Sequence, residues 1–301
     1  MRLSVLLLTA ILAFACAAPQ GQAGGEDAEG LREGHPKVVA SIYPLTMLVN
    51  AIAGDSASVT TIVPPGADPH NFELTPSSAK AVYEADVVFL IGADFDSWAV
   101  GSGDRPAGRN QLRIEFYKSF DDSLIDLGGT FNPHFWLDPL FAKAIGAVIA
   151  EALTQIDPGR SSYYGPRAER LASGMDSLNI SIKRRLELCG FKRFVSFHPA
   201  WTYFARRYNL VEVGVVERFP EQEPSAKWVA ELIRNIKELH VQVMIVEETS
   251  NPGVVMGIAR DTGVKVVVLD PLGSPDIPGR TTYSGLMNYD VSLIERAVQG
   301  D

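Results

Sequence analysis

A chain of 301 residues is long enough for two medium domains with their own cores, and 46% apolar with 21% charged residues excludes a disordered chain. Lys and Arg number 27 against 36 Asp and Glu, a net charge of -9, which excludes nucleic acid or an anionic membrane surface as the main partner, since both want a basic face. The two cysteines, Cys16 and Cys189, exclude a disulfide scaffold or a cysteine-based zinc ribbon, so a metal site must use carboxylates and some of the five histidines.

The N-terminus reads as an export signal over 1–15: Arg2 is the positive start, Leu3 to Phe14 the apolar stretch, and Ala13 to Ala18 the small-residue cleavage region. Cleavage before Cys16 with lipid attached to it resembles a bacterial lipoprotein signal and is the favoured route; cleavage alone after Ala15 or Ala18 is the other. Both export the chain. Residues 16–36 are rich in Gly, Ala and Glu with little to bury, and read as a flexible tether. No later run reads as long and apolar enough to span a bilayer.

Beyond Lys37, β-branched runs at 38–42, 59–63, 86–91, 194–197, 211–216, 241–246 and 264–269 alternate with helical patterns. Near-continuous apolar strands alternating with helices predict an α/β fold with parallel sheets covered on both faces. Pro44 opens a helix ending near Gly54, and Thr75-Pro76 reads as a cap and first-turn proline. Leu171, Met175, Leu178, Ile182 and Leu186 form the apolar stripe of one long helix, whose start Pro158 and Pro166 confine or kink. The expected organisation is an N-terminal lobe over 37–156, a linking helix over 157–189 and a C-terminal lobe over 190–301. A weak repeat supports paired lobes: Val39 to Pro44 resembles Phe194 to Pro199, and Glu73 to Ser77 has an echo in Glu223-Pro224-Ser225.

Candidate ligands gather where strands end. His70 follows the second strand after a proline-rich loop; His198 and Asp270 come directly off later strands; His134 sits in the proline-framed segment Asn132 to Pro139. In open parallel sheets the ligand crevice lies beyond the carboxyl ends of the strands. A lone histidine there is more often structural, but three with one carboxylate suit a borderline cation such as zinc. His35 in the tether and His240 after a helix keep the structural reading. Glu247 also follows a strand and reads as an acceptor for an imidazole N–H behind a ligand, ahead of an ordinary rim charge. Asp94, Asp96 and Asp104 read as a solvated loop, and Cys189 as a small packing residue.

GADPHNFELTPS at 66–77, NPHFWLDP at 132–139, SFHPAWTYFARRYNL at 196–210 and LDPLG at 269–273, with the closing MNYDVSLIERAV, resemble in order and spacing the motifs of bacterial solute-binding proteins of zinc and manganese ABC transporters. The resemblance runs from about Val38 to the C-terminus. It implies two lobes of parallel β-sheet flanked by helices, joined by one long helix, with the metal site in the interlobe cleft. It also implies His70 and His134 as N-lobe ligands, His198 and Asp270 as C-lobe ligands, and delivery of the metal to a membrane permease with its cytoplasmic ATPase. A histidine at the third position goes with zinc-type members, so His198 implies Zn2+ ahead of Mn2+ or Fe2+. The stretch at 92–113 departs from many zinc-type relatives, having no histidine.

The expected protein is thus a monomeric, non-enzymatic metal carrier, periplasmic or anchored on the extracytoplasmic face. Its affinity should fall as pH drops through about 6.5, the ordinary histidine value. A single helix as hinge implies limited lobe closure. A zinc hydrolase would need a vacant coordination position and a base; Glu247 and Glu248 are the candidates, and HExxH and GxSxG motifs are absent. A surface adhesin is the remaining alternative, and a receptor for an iron chelate or corrinoid would need a wide cleft without a histidine triad.

Overall fold

The computed structural model describes residues 34–99, 111–120, 123–217, 223–248 and 250–300. The expected signal, Cys16, most of the tether and Asp104 lie outside the described residues.

Two four-stranded parallel sheets carry the molecule. The first holds β1 (Lys37–Ala40), β2 (Ser58–Thr61), β3 (Val87–Leu90) and β4 (Leu112–Glu115) in the order β2-β1-β3-β4. The second holds β5 (Arg193–Ser196), β6 (Val211–Val215), β7 (Val243–Val246) and β8 (Lys265–Val268) in the order β6-β5-β7-β8. The orders are the same with each strand advanced by four. The weak repeat falls at matching places: β1 and β5 occupy the same position, and Thr75 and Ser225 each cap the helix after the second strand of their sheet, accepting the backbone N–H of Ser78 and Trp228. The central strands β3 (VVFL) and β7 (VMIV) are buried throughout, whereas edge strand β2 alternates and edge strand β8 is largely exposed. β4 was not expected from the sequence; all four of its residues are only half-buried, so it lacks the apolar run that marks its neighbours.

The helices are α1 (Tyr43–Ala53), α2 (Pro76–Glu84), α3 (Pro139–Ile156), α4 (Ser161–Cys189), α5 (Thr202–Tyr208), α6 (Ala226–Glu238), α7 (Pro252–Thr262) and α8 (Tyr283–Gln299). α4, 29 residues and about 44 Å long, carries the chain between the sheets. It buries Met175, Leu178, Ile182 and Leu186 of the expected stripe and keeps Pro166 within its N-terminal part. α3 lies close against α4 because residue 146 is glycine: a Cβ there would stand 2.6 Å from Leu171 Cδ2. By length and composition α3 does pass as a membrane span, correcting the expectation that no later run would; its buried face, from Phe141 to Leu153, packs in the core with α1 and α4.

One hydrophobic cluster runs unbroken through both lobes, from Val38 and Phe89 through Trp136, Ile182 and Trp201 to Ile245 and Leu286. Smaller clusters fill the far face of each sheet, around Val88 and Leu90 in the first and Val195 and Met244 in the second. Buried polar links cross the same seam. Trp136 Nε1 donates to Pro271 O at 2.8 Å, Tyr283 Oη to Trp136 O at 2.6 Å, and Arg207 grips both oxygens of the buried Asp138 at 2.8 and 2.9 Å. Pulling the lobes apart would expose apolar area and orphan these groups, which favours a stiff joint.

Candidate metal centre

The carboxyl ends of both sheets face one cavity of about 580 Å³, lined by His70, His134, His198, Glu247, Asp270 and Arg280 among others. His70 lies in a 3-10 turn (Pro69–Asn71) whose capping residue, Asp68, accepts the His70 backbone N–H at 2.9 Å; its ring meets Phe95 edge-on. His134 opens a second such turn (His134–Leu137) and is 4% exposed. His198 caps a third (Pro199–Trp201), directly off β5. Short turns opened beside prolines hold the backbone so that each imidazole enters the cleft with few rotamers to lose.

The ligand atoms of His70, His134 and His198 lie within 4.8 Å of one another. His70 Nε2 is 3.3 Å from His134 Nε2, and His198 Nε2 is 3.4 Å from the same atom. A tetrahedral cation with metal–nitrogen bonds of about 2.0–2.1 Å sets its ligand atoms about 3.3–3.4 Å apart, so these two separations match two edges of such a site.

For His134 and His198 the inward nitrogen is selected by what its partner nitrogen does. Asn132 Oδ1 accepts from His134 Nδ1 at 2.8 Å and from the His134 backbone N–H at 3.0 Å. Asn132 is itself fully buried, donating through Nδ2 to Pro199 O at 2.7 Å and accepting the Tyr203 hydroxyl on its carbonyl at 2.8 Å. His198 Nδ1 faces Glu247 Oε2 at 2.9 Å, while Glu247 Oε1 accepts from Trp201 Nε1 at 3.1 Å. In both cases Nδ1 carries the proton and Nε2 presents its lone pair to the cleft.

The electrostatics separate the three rings. Burial, with His198 nearby, lowers the His70 pKa to about 4 against a weaker opposing pull from Asp68. Burial and the other two imidazoles push His134 well below the ordinary value. Burial also acts against charge on His198, but the carboxylate of Glu247, by charge and hydrogen bond, outweighs it and the net shift is upward. Glu212 stands behind this side of the site, its carboxyl raised by burial and held by Ser196 and by Thr202 Oγ1.

Asp270 lines the cavity but is outside the group of ligand atoms within 4.8 Å. Its Oδ1 accepts the backbone N–H of Leu272 at 3.0 Å and of Gly273 at 2.8 Å, and its Oδ2 accepts Arg280 Nη1 at 2.8 Å. His35 and His240 are exposed and take no part in the cluster. Asp96 is not part of a solvated loop: it is 1% exposed and accepts the backbone N–H of Ile91 at 2.6 Å and Gly92 at 2.9 Å, tying off the end of β3. Asp94, beside it, is exposed as expected. Sequence reasoning missed Asn132 and Arg280. Asn two residues before a histidine is an available signal for the first, because an Asn side chain bonds readily to backbone two residues on; Arg280, ten positions beyond Asp270, offers none.

A family model described as zinc-uptake complex component A, periplasmic (ZnuA), matches residues 38–297. The chain belongs to this family. It is 30% identical over 265 residues to a putative metal-binding protein of Thermotoga maritima, covering 87% of this chain and 92% of that protein. It is 27% identical over 292 residues to the manganese-binding lipoprotein MntA of Halalkalibacterium halodurans, covering 95% and 94%. A crystal structure of ZnuA superposes with a TM-score of 0.77 at 28% identity, covering 88% of this chain and 99% of that one. These relatives carry the names of metal-binding and uptake proteins, not enzymes, in line with the sequence reading.

Proposed function

We propose that this protein captures a divalent transition metal ion outside the cytoplasm, Zn2+ ahead of Mn2+ or Fe2+, and delivers it to an ABC permease. The ion is cargo, held by His70, His134, His198 and Asp270, with Glu247 and Asn132 orienting the imidazoles. Support comes first from the two Nε2 separations of 3.3 and 3.4 Å, which match the edge of a tetrahedral zinc site. Three nitrogen donors suit zinc better than manganese, which prefers more oxygen. The family match supports the transport role, and the lipoprotein relative supports Cys16 as an anchor.

The hydrolase alternative loses one of its two candidate bases, and the other, Glu248, is 76% exposed at the rim with Oε1 4.0 Å from Arg280 Nη1. Glu247 is committed to His198 Nδ1 and Trp201 Nε1, so it has no oxygen directed at a metal-bound water. Elemental analysis of the mature protein, with competition titrations of Zn2+, Mn2+ and Fe2+, tests the proposal. One equivalent of zinc bound more tightly than the other two is expected; tighter manganese would overturn the metal assignment, and no stoichiometric metal would overturn the function.

A further inference from the structure

The Asp270 carboxylate is already engaged. Oδ1 takes two backbone N–H groups of its own loop, and Oδ2 takes the Arg280 guanidinium at 2.8 Å in an ion pair whose side chains are 17% and 12% exposed. The loop is drawn shut around that pair. Ser274 N–H donates to Arg280 O at 3.2 Å, and Gly273 sits at φ +74, where a Cβ would stand 2.8 Å from the same carbonyl. Arg280 is seated with its guanidinium 5.0 Å from the Tyr289 ring centroid, and its Nε is buried without a hydrogen-bond partner. A second acceptor waits at the rim: Glu248 Oε1 is 4.0 Å from Arg280 Nη1, on a side chain 76% exposed.

An arginine stays charged at any pH the protein meets, so it occupies the carboxylate as a permanent cation of the same sign as the cargo. We propose that Arg280 is a built-in competitor for the fourth ligand: it holds Asp270 in the metal-free protein, and capture by the three imidazoles is completed as Asp270 leaves Arg280 for the metal and Arg280 turns to Glu248. This rests on the reading of His70, His134 and His198 as the metal face. The exchange keeps the half-buried carboxylate paired in both states, avoiding the cost of a lone charge in the cleft. It also makes the fourth bond reversible, because the returning guanidinium helps strip Asp270 from the ion during release.

The test is a cycle of Zn2+ affinities and chelator-chased dissociation rates for wild type, Arg280→Gln, Asp270→Asn and the double variant. Losing a charge-assisted competitor should tighten Zn2+ binding about tenfold in R280Q, mainly through slower dissociation. The effect should vanish when Asp270 is already Asn. Weaker binding in R280Q would make Arg280 a support for Asp270 and overturn the proposal. Equal tightening in the Asp270→Asn background would do the same by reducing it to a long-range charge effect. If Arg280→Gln fails to fold, the exposed Glu248→Gln serves instead: it removes the alternative acceptor and should weaken Zn2+ binding only while Asp270 is present, with no change counting against the exchange. Wild type that binds no Zn2+ would overturn the three-histidine reading and this inference together. Wild-type binding abolished by His134→Ala, with R280Q unchanged, would overturn this inference alone.

Discussion

His134 and His198 face each other from opposite lobes with ring centroids 5.1 Å apart, yet they are oriented by different kinds of group. The N-lobe ring leans on a neutral amide, Asn132; the C-lobe ring leans on a carboxylate, Glu247. The amide fixes direction without favouring charge, so burial keeps His134 neutral. The carboxylate fixes direction and also favours the imidazolium, so His198 is the one ring of the three whose pKa is pushed up. One half of the site is therefore a rigid donor, and the other is where protons and metal compete.

The largest break in this comparison should come from removing the rigid half. Apparent zinc binding of about 10–16 kcal/mol over four ligands is about 3 kcal/mol each, so His134→Ala should weaken Zn2+ binding about a hundredfold. Competition against a chelator of known affinity measures it, and near-wild-type affinity would remove His134 from the site. Next comes Glu247→Gln, which makes the two halves alike by giving both rings amide partners. The loss should be about tenfold to a hundredfold, with the pH at which affinity begins to fall moving downward. An unchanged pH profile would show that Glu247 does not set the charge of His198.

The pH profile sharpens the contrast further. His70 at about 4 and His134 below the ordinary value are both neutral at pH 6, so neither yields a proton to the metal there. His198 is raised, so affinity should be flat above its pKa and fall about tenfold per pH unit below it, one proton being released. Isothermal titration in buffers of different ionisation enthalpy counts that proton; a count near three would place all three imidazoles on an equal footing. The sign for folding differs between the halves. Because the folded pKa of His70 is depressed, metal-free stability should decline as pH drops from about 6.5 towards 4, where the unfolded chain takes the proton first. His198 works the other way, contributing stability that is complete below the unfolded value and lost as pH rises through its raised one.

The smallest expected effect concerns the lobes themselves. A core continuous through both, with Trp136, Tyr283 and Arg207 bonding across the seam, leaves little room for rotation. X-ray scattering of metal-free and Zn2+-loaded protein should give nearly superimposable curves, and a marked compaction on loading would contradict the stiff joint.

Much of this was legible in advance because the signals are local. Central strands such as 87–90 and 243–246 are buried on both faces and so read as apolar runs; Thr75 and Ser225 announce their helices because capping needs a side-chain oxygen at one position. β4 escaped because an edge strand need not be apolar, and Asp96 was misjudged because a buried carboxylate satisfied by backbone N–H groups looks, in sequence, like any loop aspartate. Legibility of the site followed the same division. Histidines beyond strand ends could be picked out singly, whereas Asn132 and Arg280 act through partners brought to them by folding.

The sequence by itself determined the α/β alternation, the scarcity of thiol ligands, and the three histidines at chain positions that parallel sheets bring to one edge. Tertiary structure decided how far apart their nitrogens stand, which ring has a carboxylate behind it, and that Asp270 meets Arg280. Periodicity and capping depend on neighbours a few residues away, and the chain carries that information in order. Donor separation, burial and charge pairing depend on groups that sequence places 64 residues apart, as with His134 from both His70 and His198, and become defined only when the sheets close on a shared cleft.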